Sequence, residues 1–265
     1  MDNILTFYLP VAYLNQERRI QIYLPKNYEN SSTFSVLYFH DGQNIFDAKN
    51  SFSGHSWEIK AAVDKFYQEH QKGVIVVAVD NAEENRLNEY SPWKASNLNY
   101  FIPNLIETDQ GGLGKKYNNW FVETLVPFIN NNFKTNNNNL LIGSSMGGYI
   151  SLYIGYKNPE IFSAIISLST AIWFNKKALF DFINKNLNLK TALYLDVGTA
   201  ESSSELADFP KYYLNDTLEL KALIDKNKLK KFRVHIEKNA RHSEIEWQAR
   251  FPHILNWLNE QGLIY

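Results

Sequence analysis

Apolar residues along this chain gather in short dense runs, separated by longer stretches in which they recur at helical spacing. The strand-like runs lie near Leu5–Leu9, Arg19–Leu24, Val36–His40, Val74–Asp80, Leu140–Gly143, Ala164–Leu168, Ala192–Val197 and Phe232–Glu237. The later runs are nearly all apolar, the pattern of central parallel strands covered on both faces, whereas the first two alternate more and suit an antiparallel edge. Helix-like segments fall near Trp57–His70, Asn118–Asn132, Gly147–Lys157, Lys176–Asn186, Leu214–Asn227 and Glu244–Gln261. Strand and helix alternate, which predicts an α/β fold: a mostly parallel central sheet with helices on both faces. With 265 residues, 45% of them hydrophobic, the expectation is one domain spanning 1–265.

Two connections are longer and less regular than turns, Asn81–Gly114 and Thr199–Pro210, and these are expected to build a pocket over the strand ends. The asparagine-rich pieces Asn130–Asn132 and Asn136–Asn139 read as a polar turn ahead of the strand at Leu140. Lys226, Lys228, Lys230 and Lys231 read as a solvated face.

Composition narrows the function classes. Charges nearly cancel, 27 Lys and Arg against 28 Asp and Glu, so neither nucleic acid nor an anionic membrane is an expected partner. A small molecule is. The absence of cysteine removes disulfides, thiolate zinc sites and cysteine nucleophiles. Met1 to Leu24 carries neither a basic n-region nor a continuous apolar h-region, and Gly73–Val79 is far too short to span a bilayer, so a cytoplasmic location is expected.

The chemistry is concentrated at Leu140-Leu141-Ile142-Gly143-Ser144-Ser145-Met146-Gly147-Gly148-Tyr149, an apolar strand running through G-x-S-x-G into helical spacing at Leu152, Tyr153 and Tyr156. The bare pentapeptide recurs by chance in roughly one chain in ten of this size. Its context, against the alternative of a glycine-rich structural turn, nominates Ser145 as a nucleophile on a strained strand-to-helix elbow. A serine hydroxyl needs a base to take its proton. His235 sits in a strand-like run, His70 and His253 on helix-like segments and His55 in an early loop. His242, in the short polar connection Asn239-Ala240-Arg241-His242-Ser243 after the last strand, fits best. The orienting carboxylate is expected between serine and histidine in chain order. Glu201, just past the strand-ending Gly198, is preferred over Asp196 on the strand itself, with Glu205 and Asp208 further behind. Backbone N–H groups of Met146 and of Gln43, in His40-Asp41-Gly42-Gln43-Asn44, are the expected donors to an oxyanion. His40 and Asp41 lack a ligand cluster, so neither metal nor cofactor is expected.

These blocks together resemble the "Putative esterase" family of α/β-hydrolases, which includes enterochelin-type siderophore esterases, S-formylglutathione hydrolases, feruloyl and acetylxylan esterases, and mycolyltransferases. The carriers are Leu37 to Asn44 with Trp57, then Arg86 with Glu89-Tyr90-Ser91-Pro92, then Gly143 to Gly148. Asp196 to Glu201, and His242-Ser243 with Trp247, Arg250, Phe251 and Pro252, complete them. The resemblance implies an α/β-hydrolase fold with nucleophile, acid and base at Ser145, Glu201 and His242. It also implies that the segment around Arg86 and Tyr90 lies near the active site, so that Arg86, Tyr90 and Trp93 are expected to bind substrate, a lone structural ion pair being the alternative for Arg86. The chain lacks the cysteine-containing oxyanion-loop motif of formylglutathione hydrolases, which points away from that activity. The expected activity is a serine carboxylic-ester hydrolase that acts through an acyl-enzyme on small or short-chain acyl esters. The alternatives are an acyltransferase using the same triad and a non-catalytic binding protein of the same fold.

Overall fold

The computed structural model describes residues 3–30, 33–51, 53–102 and 109–265. The chain begins with β1 (Ile4–Val11), β2 (Gln16–Tyr23) and β3 (Phe34–Phe39), followed by α1 (Ile59–His70) and β4 (Val74–Val79). Two one-turn helices, α2 (Arg86–Glu89) and α3 (Leu98–Phe101), interrupt the long connection after β4, of which 103–108 lie outside the described residues. A composite helix follows, α4 (Gly114–Trp120) passing through a π turn at Phe121–Leu125 into α5 (Val126–Asn132). The remainder alternates regularly: β5 (Thr135–Ser144), α6 (Met146–Lys157), β6 (Phe162–Leu168), α7 (Lys176–Asn186), β7 (Ala192–Gly198), α8 (Phe209–Lys226), β8 (Phe232–Glu237) and α9 (Glu244–Glu260).

The eight strands form one sheet in the order β1-β2-β4-β3-β5-β6-β7-β8. Six run parallel, and the β1–β2 hairpin joins antiparallel through β2 and β4, as the alternating pattern of the first two runs anticipates. Successive strand residues serve opposite faces: Val36 and Tyr38 belong to the core beneath α4 to α8, while Leu37 and Phe39 belong to the core beneath α1 and α9. α6 is the most enclosed helix, with every residue from Met146 to Tyr156 buried, which explains why its apolar residues do not keep to one face. The sheet is an α/β-hydrolase sheet, with strand order reversing between β3 and β5. Ligands of such sheets bind outside the carboxyl ends of the strands at that reversal.

Three expectations need correction. The asparagine run is not a turn: β5 begins at Thr135, and the extra residues between the Phe34–Thr135 and Val36–Asn139 pairings are taken up in a bulge at Asn137, φ 60°. The amide nitrogens find acceptors in place, Asn138 Nδ2 donating to Leu263 O at 2.7 Å and Asn139 Nδ2 to Ile161 O at 3.2 Å. β8 is not central but an edge, and its sequence Phe-Arg-Val-His-Ile-Glu carries polar residues at every second position accordingly. Finally, α8 starts at Phe209 rather than Leu214, because Pro210 fits the first turn of a helix, where no N–H is needed.

Candidate active site

Ser145 caps α6 with φ 56° and ψ −123°, a conformation L-residues seldom adopt. The elbow is pinned: Ser145 N–H donates to Leu168 O at 2.9 Å, and Ser145 O accepts from Ala171 N–H at 3.1 Å. Space is tight on both sides, most of all at Gly143. A Cβ at Gly143 would strike the Gly147 carbonyl, and one at Gly147 would crowd Asp41 Oδ2 at 3.1 Å.

Glu201 and His242 arrive from the loops after β7 and β8. His242 Nδ1 lies 2.8 Å from Glu201 Oε2. Glu201 is fully buried, and its other oxygen accepts from Ser169 Oγ and Gly198 N–H, both at 2.5 Å. Ser169 is itself fixed by Trp247 Nε1, which donates to its Oγ at 2.8 Å. The His242 ring is held between Tyr213, ring centroids 4.8 Å apart, and the edge-on Trp247 at 4.9 Å. A carboxylate bonded to Nδ1 in this way fixes both ring orientation and tautomer. Asp196, the other acid considered, turns instead to Arg250, whose Nε donates to Oδ1 at 2.8 Å. Burial outweighs that guanidinium and pushes the Asp196 carboxyl up to about 6.

Ser145 and His242 line one cleft of about 560 Å³, together with Gln43, Asn44, Arg86 and Glu244. Gln43 stands in the one-turn 3-10 helix Gly42–Asn44 after β3, and Met146 at the first position of α6. First-turn amides have no acceptor within their own helix, so both can face a ligand.

The side chains expected to bind substrate fare differently. Arg86 lines the cleft, but its guanidinium grips Asp41, Nε to Oδ1 at 2.6 Å and a terminal nitrogen to Oδ2 at 2.8 Å. Burial would raise the Asp41 carboxyl; Arg86 and the hydrogen bond from Asn81 outweigh it and hold the group below the ordinary carboxylate range. Tyr90 does not line the cleft: it is fully buried, its hydroxyl accepts from Asp41 N–H at 3.1 Å, and its ring lies under Arg86. Trp93 also falls away from the cleft, packed on Tyr149, Tyr153 and Phe182, because the chain turns under α6 after Pro92.

Sequence reasoning passed over Tyr213, Ser169 and Glu244. Tyr213 is hidden by the misplaced start of α8, yet it is buried beside His242, and its hydroxyl lies 2.6 Å from Ser203 Oγ. Ser169 follows directly on β6, and its position at a strand's carboxyl end was the available signal.

Comparison with known proteins decides the family. The "Putative esterase" family model matches residues 11–258. The chain belongs to the Putative esterase family. Membership supports an esterase or hydrolase activity. The chain is 26% identical over 247 residues to the Bacillus subtilis (strain 168) protein named "Uncharacterized protein YbbA", covering 91% of this chain and 92% of that one. Among solved structures, the BES protein from Bacillus cereus superposes with a TM-score of 0.77 at 19% identity, covering 100% of this chain and 97% of that one. An IroE-like serine hydrolase from Shewanella oneidensis gives 0.73 at 20% identity, covering 96% and 80%. At these identities the two structures establish the shared fold. Among the described residues of this family member, no helix is long and apolar enough to cross a membrane, and no His, Cys, Asp and Glu group could hold a metal ion.

Proposed function

We propose that this esterase-family protein is a serine carboxylic-ester hydrolase that works through an acyl-enzyme on small or short-chain acyl esters. The observation that carries the reading is the 2.8 Å contact between His242 Nδ1 and buried Glu201, on a histidine that shares the cleft wall with Ser145 on its strained elbow.

Ser145 Oγ attacks the ester carbonyl carbon while His242 Nε2 accepts the hydroxyl proton. Glu201 keeps the other proton on Nδ1 and stabilises the imidazolium that forms. The carbonyl oxygen, now anionic, is met by the N–H groups of Gln43 and Met146. Collapse breaks the bond to the alcohol oxygen, which takes the proton from His242 and leaves an acyl-serine. Water, losing a proton to His242, attacks this ester, and the second collapse returns that proton to Ser145 and releases the acid. Each group is used twice, and the protein ends as it began.

Rapid mixing with p-nitrophenyl acetate tests the scheme. The expected trace is a burst of nitrophenolate of one equivalent or less per protein, followed by a slower steady phase, with both phases absent in Ser145→Ala. Undiminished steady turnover in Ser145→Ala contradicts the proposal.

A further inference from the structure

The walls of the cleft carry an unusual balance of charge. Among the described residues, Asp41, Glu83 and Glu244 face it with a single guanidinium, Arg86, and no lysine lines it. That guanidinium is already committed to Asp41 through two hydrogen bonds, so the pair presents little net charge to a ligand. Two carboxylates remain. Glu83 is exposed at the rim. Glu244 is only 8% exposed, and Asn44 Nδ2 donates to its Oε1 at 3.2 Å. Among the described residues Glu244 has no ion pair. The first turn of α9 lends it some positive partial charge, as a helix N-terminus does, but no formal counterion.

A carboxylate so far out of water, on the wall of a cavity rather than in a packed core, is matched best by a ligand that brings the missing cation. Trp247, on the same wall as Glu244, adds a large aromatic surface to the lining. We infer that the cleft selects esters bearing a cationic ammonium group, held by Glu244 within reach of Ser145, and discriminates against esters bearing a carboxylate. The inference rests on the esterase reading above and names its substrate class. The same charge balance drives out the carboxylate that each turnover releases, because the acid product enters a cleft that already holds unneutralised negative charge.

The test uses three fluorophosphonates of equal length whose alkyl arm ends in an ammonium, a methyl or a carboxylate, with the second-order rate of adduct formation on Ser145 read by mass. Labelling requires an activated serine but no turnover. The ammonium probe is expected to label fastest and the carboxylate probe slowest, at least about tenfold apart. Glu244→Gln should shrink that ratio severalfold, and Glu83→Gln, at the solvated rim, should shrink it less. Equal rates, a faster carboxylate probe, or a ratio unchanged in both variants overturns the charge selection while leaving the serine hydrolase standing. Failure of all three probes to modify Ser145 overturns the hydrolase reading, and this inference with it.

Discussion

Two histidines stand at carboxyl ends of strands in this molecule, each with a carboxylate and aromatic rings around it, and they are wired in opposite ways. His40, after β3, is fully buried, its Nδ1 is 3.0 Å from the Tyr117 hydroxyl, and burial drops its pKa to about 3. Its neighbour in sequence, Asp41, is committed to Arg86 and Asn81. His242, after β8, gives one nitrogen to Glu201, 41 residues away, and stays on the cleft wall. In the first corner Tyr117, Asn81 and Arg86 tie down His40 Nδ1 and the Asp41 carboxylate beside the loop that carries the Gln43 amide, while His40 Nε2 is buried without a partner among the described residues. In the second the polar groups hold an imidazole on the wall of the cleft that Ser145 also lines. His40 makes no hydrogen bond to the carboxylate next to it in sequence, whereas His242 binds one 41 residues away, so proximity in sequence is a poor guide to which carboxylate a histidine uses.

Mutations should separate the corners. Ser145→Ala and His242→Ala are expected to lower kcat by about 10⁴ to 10⁶, with unfolding midpoints near that of the parent, checked by steady-state kinetics and thermal melts. Glu201→Gln keeps the shape but removes the charge that orients His242, and kcat should fall by about 10³ to 10⁴.

In the structural corner the loss should appear as stability. Arg86→Met strands the buried Asp41 carboxylate, and chemical denaturation should show a loss of about 3 kcal/mol. An unchanged midpoint would mean that Asp41 finds another partner. The last readout is a pH dependence. Since His40 folds with a pKa near 3, the unfolded chain binds more protons between about pH 6.5 and 3, and stability must fall as pH falls through that window. His40→Gln should flatten the decline measured by denaturation between pH 7 and pH 4. The contribution of Asp41, whose carboxyl is held below its ordinary value, is lost only below about pH 4.

The contrast also marks what could be read from the chain. Strands β3 to β7 and the elbow were legible because each is a local pattern: an apolar run of strand length, or two glycines flanking a serine at a strand-to-helix junction. Glu201 was legible through its place after Gly198, between serine and histidine in chain order. Less legible were features decided by packing. Asn136 to Asn139 look like a turn until Leu263 and Ile161 supply acceptors for their amides. Tyr90 and Trp93 belong to a segment that passes near the cleft, but which way each ring turns depends on His40 and α6, which no local pattern reports. Glu244 is not legible in the sequence, because a glutamate in the first turn of a helix looks like an ordinary partner of the helix dipole. Its significance comes from Asn44, 200 residues earlier in the chain.

The central claim is that Ser145 alone, among the serines of the cleft, is activated. Ser53, Ser144 and Ser243 line the same cleft and serve as internal controls. The most direct measurement is reaction of the purified protein with a neutral fluorophosphonate, followed by peptide mass mapping, with Ser145→Ala alongside. The account predicts one adduct per chain, on Ser145, and none in the variant. An adduct on Ser53, Ser144 or Ser243, or no adduct on folded protein, would contradict it.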